Sequence, residues 1–75
     1  MEKYGNYGRD SGVLEFEIGE DYIKVKFSDS SLYLYSYQKP GSPHVEKMKI
    51  LAKNGIGLNS YINTKVKFQY ETKLI

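Results

Sequence analysis

Residues 21–37, DYIKVKFSDSSLYLYSY, decide the fold. Ile23, Val25 and Phe27 alternate with Tyr22, Lys24 and Lys26. After a polar break, Leu32 and Leu34 alternate with Tyr33, Tyr35 and Tyr37. Period-two alternation on both sides of a Ser/Asp turn marks a β-hairpin with one buried face. A turn within Ser28–Ser31 that sets Phe27 against Leu32 puts Val25 opposite Leu34. It also puts Lys26 opposite Tyr33, Lys24 opposite Tyr35 and Tyr22 opposite Tyr37.

Upstream, Leu14, Phe16 and Ile18 alternate with Val13, Glu15 and Glu17, which predicts a strand over Val13–Ile18. Gly19-Glu20 suits a two-residue turn, with glycine supplying a positive φ. That turn sets Ile18 against Asp21, Phe16 against Ile23, Leu14 against Val25 and Glu15 against Lys24. Opposite charges then pair on one face while the apolar set shares the other. The predicted inner face is Leu14, Phe16, Ile18, Ile23, Val25, Phe27, Leu32 and Leu34. Before this strand, residues 1–12 read as a loose arm, whose Tyr4 and Tyr7 either stay free or tuck against the sheet.

Downstream, Gln38-Lys39-Pro40-Gly41 breaks the strand. Ser42 as N-cap and Pro43 in the first turn open a helix that Asn54-Gly55 closes. Its Val45, Met48, Leu51 and Ala52 share an arc of about 120°, and Ile50 lies off that stripe. Leu58 and Ile62, four apart, suggest a short second helix. Val66, Phe68 and Tyr70 alternate with Lys65, Lys67 and Gln69, which predicts a fourth strand or an extended tail. The expected class is α+β: a three-stranded antiparallel meander covered on one face by a helix, forming a single domain over residues 13–75.

At 75 residues the domain is small, and a chain of that size buries only about 60% of its unfolded surface. It has no cysteine, which excludes a disulfide framework and a cysteine-based metal site and suits a reducing compartment. Neither a membrane-length apolar run nor a signal-peptide h-region is present, so a cytoplasmic location is expected. A formal charge of +2 demands no polyanionic partner.

In YIKVKFSDSSLYLYSY followed by SPHVEKMKILAKNG, the chain resembles the KTSC family, small domains named for the C-terminal region of some lysyl-tRNA synthetases. That family's order is strand, Ser/Gly turn, tyrosine-rich strand and Pro-initiated helix. Gly-x-x-aromatic-Asn-x-x-Ile and Tyr-Pro-Tyr-Glu motifs follow. Gly55, Leu58, Asn59 and Ile62 match the first motif, with leucine for the aromatic. Phe68, Tyr70 and Glu71 match the second, with Gln69 in place of proline. The spacing between them needs a short insertion, and the resemblance covers roughly Val13–Leu74. It implies proximity to RNA at most, and family members also occur as free-standing short proteins.

No catalytic set is legible. His44 is the only histidine, Glu15 and Glu17 read as partners of lysines, and Gly55-Ile56-Gly57 reads as a helix cap. No enzyme activity, cofactor or metal is expected. The candidate binding face is Tyr22, Lys24, Lys26, Tyr33, Tyr35 and Tyr37, with Tyr35 at its centre. Gly55, Asn59 and Tyr61 form a secondary candidate, with Asn59 expected to bond loop backbone. Exposed rings can stack bases while lysines meet phosphates. The same face can bury against a protein, including a second copy of the chain, or simply be a solvated sheet surface. Two functions follow: a non-catalytic module, of bacterial or phage type, that docks on and modulates a larger protein, or an accessory domain for RNA or single strands.

Overall fold

The computed structural model describes residues 1–8 and 12–75; Arg9, Asp10 and Ser11 of the expected arm lie outside the described residues. Glu2–Lys3 (β1), Val13–Ile18 (β2), Tyr22–Phe27 (β3), Leu32–Ser36 (β4) and Thr72–Lys73 (β5) form one antiparallel sheet in that order. The α+β class holds, with five strands in place of three. Helix α1 spans Ser42–Asn54, and α2, Leu58–Tyr61, runs directly into a π-helical turn over Ile62–Val66. Among the described residues no helix is long and apolar enough to cross a membrane.

The β2–β3 register differs from expectation by two residues. Ile18 pairs with Ile23, Phe16 with Val25, Glu17 with Lys24 and Glu15 with Lys26. An even shift keeps every side chain on its face, so Phe16, Ile23 and Val25 are still core. The turn is Glu20-Asp21, flanked by a Gly19 N–H bond to the Tyr22 carbonyl at 2.9 Å. Gly19 does not take a positive φ; it leaves room for the Tyr22 ring, which a Cβ there would meet at 1.9 Å unless the ring moved. At the other end a bulge between Val13 and Glu15 turns Val13 inward and leaves Leu14 45% exposed, which removes Leu14 from the core.

The β3–β4 register is one residue from expectation, and an odd shift inverts a strand. Val25 faces Tyr33, Ile23 faces Tyr35 and Lys24 faces Leu34. The cause is a three-residue loop, Ser28-Asp29-Ser30, instead of a four-residue one. The Phe27 N–H donates to the Ser31 carbonyl and the Ser30 N–H to the Phe27 carbonyl, each at 2.9 Å. Ser30 takes the left-handed conformation at φ 72° that this loop length demands. Asp29 fixes it by accepting hydrogen bonds from the Ser31 N–H, at 3.0 Å, and the Ser31 hydroxyl. Tyr33 and Tyr35 therefore join the core face, while Leu32 and Leu34 move to the outer face.

Helix α1 lays Val45, Met48 and Ala52 on Phe16, Ile23, Val25 and Tyr35. Its N-cap is Gly41, not Ser42: the Gly41 carbonyl closes the first turn on the Val45 N–H at 3.1 Å, and Ser42 is already helical. Gly55 is the left-handed C-cap at φ 73°, as the sequence predicts. Leu58, Ile62 and Val66, all buried, are one helical stripe. Val66 thus lies in the π-helical turn, and the expected strand from Lys65 contracts to Thr72–Lys73. In the arm, Tyr4 is 3% exposed and its hydroxyl accepts the Leu58 N–H at 3.2 Å. The Tyr7 N–H donates to the Gly55 carbonyl at 2.7 Å. The described part of the arm is tied to the domain.

Phe16→Ala should cost about 3–5 kcal/mol in urea denaturation, the range for a fully buried phenylalanine. Phe27→Ala, from a half-buried site, should cost clearly less; equal losses would contradict this core. A second expectation concerns the turn. The Ser31 hydroxyl and then the Ser31 N–H hold the Asp29 carboxyl below its ordinary 3.8. A carboxyl lowered on folding stabilises the fold above its unfolded pKa, and that contribution fades as pH falls through the folded value. The urea midpoint of the wild type should exceed that of Asp29→Asn near neutrality, and the gap should close below about pH 4. A gap independent of pH would show that the carboxylate charge does not hold the turn.

Candidate functional site

The expected tyrosine/lysine face is divided by the β4 inversion. Tyr22, Lys24 and Lys26 keep the outer face; Tyr33 and Tyr35 turn to the core side, with Tyr35 only 1% exposed. Tyr37 lies past the end of β4 and is bound to α1, its hydroxyl donating to the Glu46 carboxylate and the Lys49 ammonium 5.6 Å from its ring centre. Tyr35 is therefore not the centre of an exposed patch.

What remains outside is largely self-satisfied. Lys24 pairs with Glu17 at 3.6 Å, correcting the expected Glu15 partner. The Tyr22 hydroxyl donates to the same carboxylate at 2.9 Å, and the Lys24 ammonium lies 5.7 Å from the Tyr22 ring centre. Tyr22's hydrogen bond first, then Lys24's charge, hold the Glu17 carboxyl below the usual range. Lys3, Glu15 and Lys26 sit side by side in the next row of the sheet. A phosphate would have to compete with glutamates already there. Tyr22, Lys24 and Tyr37 do line an outer depression of about 420 Å³, but Asp21 and Glu71 share it, and the Ser36 hydroxyl already engages Glu71.

The secondary candidates are not brought together as a site. Gly55 is covered by the Tyr7 ring, which a Cβ would approach to 2.7 Å. Asn59 sits in the first turn of α2 with no side-chain hydrogen bond among the described residues, so its expected bond to loop backbone is not made. The Tyr61 hydroxyl meets His44 Nδ1 at 2.8 Å and thereby links α2 to the start of α1. Among the described residues no cluster of His, Asp and Glu is placed to hold a metal ion.

A different site emerges at the turn end of the sheet's core face. There α1 no longer covers the strands, and the chain leaving the π-helical turn passes over them instead. Between them is a cleft of about 360 Å³, lined by the rings of Phe27, Tyr33, Tyr35, Phe68 and Tyr70 together with polar groups that include Ser28, Asn63 and Lys67. Tyr33 is its hub. Its ring meets Phe27 edge-on at 5.6 Å between centroids, and Tyr70 at 4.7 Å and 49°. These are favourable aromatic separations. The Lys73 ammonium lies 5.7 Å from the Tyr33 ring centre and the Lys67 ammonium 5.4 Å from that of Phe68. Asp29 borders the cleft with its carboxylate committed to Ser31. Phe68 is 76% exposed.

Tyr35 is the most buried ring of this lining. Burial first, then the neighbouring Tyr33 and Tyr70, push its phenol far above the usual tyrosine range, so it is a neutral hydroxyl at any physiological pH. It has no hydrogen-bond partner among the described residues. The sequence signals for this site were Tyr33, Phe68 and Tyr70, read there as strand alternation because nothing in the chain gives the loop length before β4.

Comparison with family models, with curated proteins and with solved structures finds no match.

Because Phe68 is exposed, Phe68→Ala should shift stability by no more than about 0.5 kcal/mol. A larger drop in urea denaturation would show that Phe68 packs in the fold and is not a free contact residue.

Proposed function

We propose that the chain is a small non-catalytic module that docks on a larger protein through the aromatic cleft and modulates it. The carrying observation is Phe68, an unburied phenylalanine at the rim of a cleft that four further rings, Phe27, Tyr33, Tyr35 and Tyr70, help to line. Large apolar side chains in water beside a concave apolar surface are typical of contact sites. Aromatic residues also dominate interface energies.

Charge favours a particular partner. Lys67 and Lys73 flank the cleft, while the nearby Asp29 is spent on its own turn. An apolar segment with acidic neighbours fits this setting. The alternative of an RNA or single-strand surface loses support from the outer face, where Lys24 is paired with Glu17 and Lys26 stands beside Glu15. The KTSC resemblance belongs to the same proposal. The order of β3, turn, β4 and the Pro43-bearing helix is in keeping with that family's pattern.

A photo-crosslinking phenylalanine analogue at position 68, used in lysate of the cells that make the protein, should give a protein adduct. Titration of the purified partner should then be weaker for Phe68→Ala by about 1–3 kcal/mol. It should change little with salt. Adducts to nucleic acid alone, with affinity falling steeply as salt rises, would replace this reading with the nucleic-acid one.

A further inference from the structure

The Asn54-Gly55 pair that ends α1 carries chemistry the docking reading does not use. A backbone nitrogen that follows an asparagine can attack that asparagine's side-chain amide, and the side chain it carries decides how easily it gets there. Glycine has none, and its backbone approaches freely. Asn6, Asn59 and Asn63 are followed by Tyr7, Ser60 and Thr64; Asn54 alone is followed by glycine. The electrophile stands in water, since Asn54 is exposed on the last turn of α1. The nucleophile is held. The Gly55 N–H donates to the Leu51 and Ala52 carbonyls at 3.0 and 3.2 Å, and the nitrogen must give up that proton to react. Asn54 is itself helical, and a helical ψ keeps the next nitrogen turned from the Asn54 side chain. The arm closes over this cap. Gly55 is buried, and its carbonyl accepts the Tyr7 N–H at 2.7 Å. The Tyr7 ring and Gly5 lie 2.7 and 3.2 Å from where a Gly55 Cβ would be.

We propose that Asn54 is a site of spontaneous deamidation that the helix cap and the arm hold shut, and that opens when Tyr7 leaves Gly55. The Gly55 nitrogen bonds to Asn54 Cγ and yields its proton to water, and the side-chain nitrogen leaves as ammonia. A cyclic imide results. Water then adds to one imide carbonyl and the C–N bond there breaks, giving aspartate or isoaspartate at position 54. Water is the only co-reactant. Neither product rebuilds the cap. A carboxylate at a helix C-terminus meets the negative end of the helix dipole, where it is unfavourable. Isoaspartate also lengthens the main chain by one methylene, just where the Gly55 N–H has to reach Leu51 and Ala52. Both changes loosen the Gly55 carbonyl that holds Tyr7, so the modification favours the open arm that permits it.

The whole chain is incubated at mildly alkaline pH, folded and in guanidinium chloride. Peptides covering Asn54 are read by mass spectrometry for conversion of amide to acid. Asn54 should convert about 10-fold or more slowly in the folded chain than in the unfolded one, a ratio set by local opening. Tyr7 is 75% exposed, so Tyr7→Ala should keep the fold, as its urea transition will show. It should raise the folded-state rate at Asn54 about 3-fold or more and leave the unfolded rate unchanged. Asn54→Asp, one product made directly, should lower the urea midpoint and speed hydrogen exchange at the Tyr7 amide. Equal rates in the folded and unfolded wild type, or a folded Tyr7→Ala chain that reacts no faster than wild type, overturn the guarded site. Wild-type exchange at the Tyr7 amide in Asn54→Asp overturns the coupling of the modification to the arm.

Discussion

The hydrogen bonds that Asp29 accepts from Ser31 control more of this molecule than their size suggests. They close a three-residue loop after Phe27, with Ser30 in the left-handed conformation. Side chains alternate along a strand, so the parity of the loop decides which half of LYLYS enters the core. An even loop would bury Leu32 and Leu34 and present three tyrosines to water. The odd loop turns Tyr33 and Tyr35 to the core side instead, with Tyr35 buried and Tyr33 half-buried. Tyrosines are longer than leucines and end in a hydroxyl. They extend the apolar face past the reach of α1 and give its far end the aromatic cleft.

The same inversion settles the outer face. With Tyr33 and Tyr35 gone from it, that surface carries Tyr22, Lys24 and Lys26 beside Glu17 and Glu15, with Leu32 and Leu34 on the next strand. An exposed pair such as Lys24–Glu17 contributes little stability in water. Its effect is on recognition: a lysine already facing a carboxylate is a poor phosphate ligand. The inversion thus moves two of the tyrosine rings from the outer surface to the inner one.

Much of this was legible in the sequence, and the parts that were not have physical causes. On β2 and β3 only one parity class is apolar, so an error of two residues in the turn left Phe16, Ile23 and Val25 correctly inside. On β4 both classes, Leu32/Leu34 and Tyr33/Tyr35, can be buried, so periodicity could not choose and the loop did. Adjacent Val13 and Leu14 pose the same ambiguity, and a bulge resolves it in favour of Val13. Gly55 was readable as a cap because its chemistry is local. The stripe Leu58, Ile62, Val66 was present in the sequence, but Val66, Phe68 and Tyr70 also alternate at period two. The buried Leu58 and Ile62, to which Val66 is continuous at four-residue spacing, settle that conflict for the helix. The candidate site was hidden for the same reason as β4: its hub, Tyr33, was assigned to the wrong side.

A domain of 75 residues has little stability to spare. A side-chain polar atom buried without a hydrogen bond costs about 1–3 kcal/mol, and among the described residues Asn6 Oδ1 is the one such atom. The Tyr35 hydroxyl is not in that position: its ring is enclosed with Ile23, Met48 and Phe16, and its side chain borders the cleft. The turn at Asp29 sets it there by fixing the parity of β4.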